Sequence, residues 1–224
     1  MQVSFREIIE IILETLGMTF ISCGFAYLLG LPTGILLNVT SKKGIMPCKW
    51  LNTIFSLIIN ILRSIPCLII VVILLGVVRG IFGSGTGEWY TIIIPLVVAS
   101  YGFVSRMVEQ SLAEVDNGKI EAIESLGATK LQIIMKVLIP ETKASLVSGL
   151  AVTLVSILGY TSFAYNISAG GIIARIWTYY SRHTGDYLEQ PIFWVMIIIV
   201  VLIVQGIQEA GLLISKKLDK RRIL

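Results

Sequence analysis

The chain has 224 residues, 55% hydrophobic and only 14% charged, with a mean hydropathy of +0.87 and a net charge of +4. That composition excludes an ordinary water-soluble domain and places the chain in a bilayer. The positive charge needs no nucleic acid, because it flanks apolar runs. Cys23, Cys48 and Cys67 lack the paired spacing and nearby histidines of a disulfide framework or a metal site.

Residues 1–14 do not read as a cleavable signal, since Glu7, Glu10 and Glu14 interrupt the stretch where an apolar core would lie. Phe5, Ile8, Ile9, Ile12, Leu13 and Leu16 recur at helical spacing against those carboxylates, which predicts an interfacial helix on the outer membrane surface. Five apolar runs then approach the roughly 20 residues that a helical crossing requires. They are Thr15 to Ser41 with Pro32 inside, Trp50 to Val78 interrupted by Arg63, Trp89 to Ser105 with Pro95 inside, Ala144 to Asn166, and Gln190 to Gln208 opening on Pro191. The fold expected is all-α: one polytopic membrane domain over residues 1–224 with five transmembrane helices.

Basic residues orient it. Lys42, Lys43, Lys49, Arg106, Lys119, Lys130, Lys136, Lys143 and the 215–224 tail fall on one side, against Arg6, Arg79, Arg175 and Arg182 on the other. The positive-inside rule then places the N-terminus outside and the C-terminus, with the 106–143 segment, in the cytosol.

That cytoplasmic segment holds "IEAIESLGATKLQIIMKVLIPE", residues 120–141. Asp116 and Asn117 suit a helix cap and Gly127 a left-handed end, so a first helix of about two turns is expected, with Ile120, Ile123 and Leu126 on one face and Glu121 and Glu124 on another. After the Gly127-Ala128 turn, Leu131, Ile134, Met135 and Leu138 predict a second amphipathic helix stopping before Pro140. Two readings stand. The pair folds as surface-bound helices, or the first helix, too short to persist alone, gains its order by docking Ile120, Ile123 and Leu126 into a partner as a rigid peg.

The spacing Glu121-Ala122, then Gly127, then Val137-Leu138-Ile139-Pro140 resembles the EAA motif of ABC importer permeases, with Ile123, Val137 and Ile139 as apolar replacements. "ETLGMTF" (Glu14 to Phe20), "GLPTGILL" (Gly30 to Leu37), "NILRSIP" (Asn60 to Pro66), "RMVEQSLAEV" (Arg106 to Val115) and "LGYTSFAYNISAGGI" (Leu158 to Ile172) resemble the methionine importer branch of the MetI type. The resemblance implies a non-enzymatic permease in a bacterial cytoplasmic membrane. It implies a homodimer working with two cytoplasmic ATPase subunits and an extracytoplasmic substrate-binding lipoprotein. ATP and Mg would sit on the partner ATPase, and the chain itself would bind no cofactor; "GSGTGE" (Gly83 to Glu88) lacks the Gly-Lys-Ser/Thr that holds phosphates. Ile120, Glu121, Ala122, Ile123, Gly127, Ala128 and Pro140 would then couple ATPase closure to the crossings, Glu121 as polar anchor, Gly127 setting the turn and Pro140 fixing where the next crossing begins.

Candidates for the translocation pathway are Arg63, Ser64, Pro66, Ser156, Tyr160 and Phe163; Ser64 and Pro66 are expected to break the helix where exposed backbone could line a pathway. Arg63 reads either as a contact for a substrate carboxylate or as a structural charge that snorkels to the cytoplasmic surface or pairs with Glu109. Ser156, Tyr160 and Phe163 read either as helix packing or as a gate whose aromatic walls accept a thioether. His183, near Arg182 and Asp186, reads as a solvated outer-loop residue. The cargo alternatives are a polar amino acid or an osmoprotectant; a passive channel remains a rival, and a secondary transporter is disfavoured because no carboxylate or histidine relay lies in the crossings.

Overall fold

The computed structural model describes residues 5–83, 87–182, 188 and 190–219. His183 and Asp186, the centre of the Gly83 to Glu88 run, and Lys220, Arg221 and Arg222 in the tail lie outside the described residues. Every regular element among the described residues is helical.

Helix α1 (Phe5–Thr40) runs unbroken for 36 residues. The amphipathic stretch expected as a separate interfacial helix is continuous with the first apolar run in one helix, because no glycine or proline interrupts residues 5–16. Pro32 is accommodated inside α1. Beside it the Thr33 hydroxyl donates to the Leu29 carbonyl at 2.8 Å, supplementing the ladder where proline removes a donor. At the end of α1 the Asn52 amide donates to the Leu37 carbonyl at 2.8 Å, so a side chain satisfies one of the carbonyls that helix termini leave over.

The second run is two helices rather than one, α2 (Lys49–Ser64) and α3 (Cys67–Phe82). Pro66, extended at φ −56° and ψ 139°, lacks a donor and disfavours helical geometry at Ile65, which ends the first and starts the second. A 3-10 turn (Trp89–Ile92) leads into α4 (Ile93–Ala113), which places Pro95 in its first turn, where a missing N–H costs nothing. Helix α4 continues beyond the expected end at Ser105, and its added turns bury Val108 and Leu112. Four short elements follow: α5 (Asn117–Ser125), α6 (Lys130–Ile133), a π-helical turn (Ile134–Leu138) and α7 (Ile139–Glu141). Next come α8 (Lys143–Tyr160) with a 3-10 extension (Thr161–Ile167), α9 (Ile172–Arg182) and α10 (Pro191–Leu218). Among the described residues, four helical stretches are long and apolar enough to cross a membrane, or five when α2 and α3 count as one broken span. The all-α polytopic expectation holds on that count.

Two compact units emerge. The first gathers Met1–Phe25, Ile65–Ser100 and Leu154–Gln208. Its core includes Ile11, Ile172, Tyr179, Phe193 and Met196. Gly170 and Gly171 take positive φ (78° and 83°), turning the chain into α9. The first N–H groups there are capped from α1: Gly171 donates to the Glu14 carboxylate at 2.9 Å and Ile172 to the Thr15 hydroxyl at 2.8 Å. Thr15 in turn donates to the Ile11 carbonyl at 2.9 Å. A carboxylate that read as part of a polar surface face is a helix cap.

The second unit gathers Ala26–Ser64, Tyr101–Thr153 and Glu209–Leu224. Gly34 lets α1 approach α4 closely: a Cβ there would meet the Ser105 carbonyl and Val108 at 2.6 Å. Arg106 ties α4 to α2, bonding the Glu109 carboxylate at 2.6 Å and the Asn60 side-chain carbonyl at 2.9 Å. The core of this unit contains Val104, Val108, Leu112 and Val115 from the α4 region and Ile133, Val137 and Leu138 from the segment after α5.

Candidate functional site

The 116–142 segment is a compact device within the second unit. Asp116 caps α5, its carboxylate accepting from Gly118 N–H at 2.8 Å, as the sequence predicts. Gly127 has φ +83°, and the following Ala128 N–H donates back to Ile123 O at 3.3 Å, closing the helix end. Thr129 and Gln132 then form a reciprocal capping box that starts α6. The box was legible as T-x-x-Q, although the apolar spacing alone does not mark it.

The second helix does not stop before Pro140. The π turn over Ile134–Leu138 precedes it, and Pro140 lies within α7. A wider turn relieves the clash and the lost donor that proline would impose on a regular α-helix. The Thr142 hydroxyl then donates to Leu138 O at 2.8 Å, one residue before α8 starts. Two ion pairs brace the segment: Lys119 reaches Glu141 at 2.6 Å, and Lys130 contacts Glu124. Each is solvent-accessible, so its worth is geometric more than energetic.

The apolar face divides differently from the sequence expectation. Ile120, Ile123 and Ala128 pack onto the chain's own core, alongside Val115, Ile133 and Leu138. Of the three residues expected to enter a partner, only Leu126 stays outside, 86% exposed. Glu121 and Ala122 share that exposure with Gly127, while Leu131 and Met135 lie uncovered at 68% and 57% on the following turns. The short helix is ordered by its own domain, which the two-turn length argument did not anticipate.

The pathway candidates are distributed over both units. Arg63 and Ser64 close α2 and are exposed; Ser64 donates to Asn60 O at 2.8 Å, and the Arg63 stem lies 3.0 Å from where a Cβ on Gly102 would stand. The Arg63 to Glu109 pairing is not formed, because Arg106 sits three residues from Glu109 on one helix and holds its carboxylate. Pro66 caps α3, Ser156 and Tyr160 lie in the last turns of α8, and Phe163 is half-buried in the 3-10 extension. No cluster of three His, Cys, Asp or Glu side chains suited to a metal ion occurs among the described residues.

Long apolar helices joined by a capped segment that leaves Leu126, Leu131, Met135 and Glu121 exposed define a polytopic helical membrane protein. Residues 30–215 match the family described as binding-protein-dependent transport system inner membrane component, and the chain belongs to that family. It is 34% identical over 208 residues to a probable D-methionine transport system permease protein MetI of Vibrio cholerae, covering 93% of this chain and 90% of that one. It is 42% identical over 149 residues to the D-methionine transport system permease protein MetI of Escherichia coli K12, covering 66% and 68%. Among solved structures it resembles a chain of the MetNI methionine ABC transporter in inward-facing conformations, with a TM-score of 0.88, 35% identity and coverage of 96% and 99%. A chain from an amino acid ABC transporter crystallised with histidines shares the fold alone, at a TM-score of 0.73 and 19% identity.

Proposed function

We propose that this chain is the membrane permease subunit of an ATP-driven ABC importer and forms the passage for methionine, in its D form, its L form or both. It works as a homodimer with two cytoplasmic ATPase subunits, which carry ATP and Mg, and with an extracytoplasmic substrate-binding lipoprotein. Its N-terminus is outside and its C-terminus in the cytosol, as the basic residues direct. The observation that carries the transport reading is the capped 116–142 segment, ordered by its own core yet offering Leu126 and Glu121 to a partner. The similarity to methionine permeases over most of the chain supports the cargo.

The segment works by differential contact. ATP-driven closure moves the surfaces that grip Leu126 and Glu121. Because Ile120 and Ile123 are fixed in the same core as α4 residues Val104, Val108 and Leu112, that motion passes into a crossing instead of being lost in a flexible loop. Glu121 supplies a charge-assisted bond to a donor in the groove. Tyr160 and Phe163 supply soft walls at a gate, and a thioether cargo requires no fixed ion. Reconstitution with the ATPase subunits and binding protein tests the proposal. Methionine should accumulate only with ATP, while a polar amino acid or osmoprotectant should not; equal flux without the ATPase would make the chain a channel.

A further inference from the structure

A cavity of about 250 Å³ opens beside the docking segment, wholly within the second unit. Its wall is mixed: Lys43, Asn38, Ser41 and Asn117 supply the polar part, and Leu112, Val115, Ile120 and Leu138 the apolar part. Such a volume far exceeds what one water needs, and a purely polar solute would leave the leucine, valine and isoleucine part of the wall unmatched. The connection between α1 and α2 that forms one side carries Lys42 and Lys43 and no carboxylate, and α2 opens on Lys49. It also exposes Met46 and, at the start of α2, Trp50 at 73%, an aromatic placed as membrane-interface tryptophans are. The acidic groups nearby are engaged elsewhere: Asp116 caps Gly118, Glu109 pairs with Arg106, and Glu114 accepts from Ser145.

From this combination we infer that the cavity seats the headgroup of an anionic phospholipid of the inner leaflet. Lys43 is the ionic contact, the Asn38 and Asn117 amides and the Ser41 hydroxyl are the hydrogen-bonding groups, and the glycerol and upper acyl carbons lie on the apolar part. A bilayer surface is the favoured source of the phosphate because the cavity is amphipathic and its loop carries an interfacial tryptophan. Since Ile120 and Leu138 form part of the wall, an occupied cavity braces the docking segment against α4. Membrane charge would thereby tune coupling. This rests on the cytoplasmic placement proposed above, but lipid retention by the detergent-purified chain depends on neither orientation nor cargo, so the two readings fail separately.

The test is native mass spectrometry of the purified permease, or of its complex with the ATPase, equilibrated with phosphatidylglycerol or phosphatidylcholine. Wild type should retain phosphatidylglycerol selectively. Lys43→Gln should lose about fivefold, which corresponds to the ~1 kcal/mol of one basic residue at an anionic surface, whereas Lys49→Gln, at the start of α2 and outside the cavity, should retain it. Leu112→Trp, which fills the apolar part, should also reduce retention without changing the charge. Equal losses for Lys43→Gln and Lys49→Gln would reduce the effect to surface charge and overturn the site. Displacement by free glycerol phosphate as effective as by the lipid would overturn the membrane source.

Discussion

Replacing Gly127 by valine isolates the backbone conformation of the docking segment from every other effect. At φ +83° this residue occupies the left-handed region, and a Cβ built there meets no atom within 4 Å, so substitution brings no collision. The cost is conformational: about 1–2 kcal/mol for an L-residue held left-handed, and more for a β-branched one. That energy corresponds to roughly a 5–30-fold fall in the population keeping the turn. When the turn relaxes, the Ala128 N–H to Ile123 O bond is lost and Leu126, immediately before it, points elsewhere. The protein should still insert and melt near the wild-type temperature, since the position is exposed and outside the core. Proteoliposome uptake and co-purification of the ATPase should both fall, by about tenfold, while Gly127→Asn, a residue that tolerates left-handed geometry, should retain most of each. Wild-type uptake and full ATPase retention by Gly127→Val would refute the reasoning.

Three further outcomes follow from the packing. Ile123→Ala should lower thermal stability by about 1–2 kcal/mol, below the full core penalty because the side chain is only partly buried, whereas Leu126→Ala should leave the melt unchanged and weaken ATPase binding; the reverse pattern would mean that Ile123 is the docking residue. Thr15→Val removes the acceptor for Ile172 N–H and should destabilise the α9 start by ~1 kcal/mol, read as faster hydrogen exchange at Ile172 and its neighbours. For orientation, a cysteine at position 124 should label in inverted vesicles and stay silent to an impermeant reagent in intact cells; labelling in intact cells would reverse the topology.

Much of the fold was open to reading from the residues alone because a bilayer enforces it. Helices must satisfy their own backbone in lipid, so apolar length alone marks Trp89 onward and Pro191 onward as crossings, and local caps such as Asp116 and Gly127 act within a few residues of themselves. Part of what escaped reading depends on partners distant in sequence, and part on competition between near neighbours. That Glu14 is a cap for Gly171 rather than a surface charge is decided by a contact across 157 residues. That Arg106 takes Glu109, and Arg63 does not, is decided by helical proximity of three residues in α4. The break at Ser64 and Pro66 was open to reading, whereas Pro140 does not end its helix, because a π turn before it absorbs the strain.

The amino-acid sequence by itself determined the solvent of this protein, its helical class and the existence of a capped polar segment, because hydropathy, capping and proline chemistry are local. Only the tertiary structure decided which face of that segment is free. Ile120, Ile123 and Leu126 share the same periodic signal, and only the nearness of Val115, Ile133 and Leu138 half-buries the first two and leaves the third exposed.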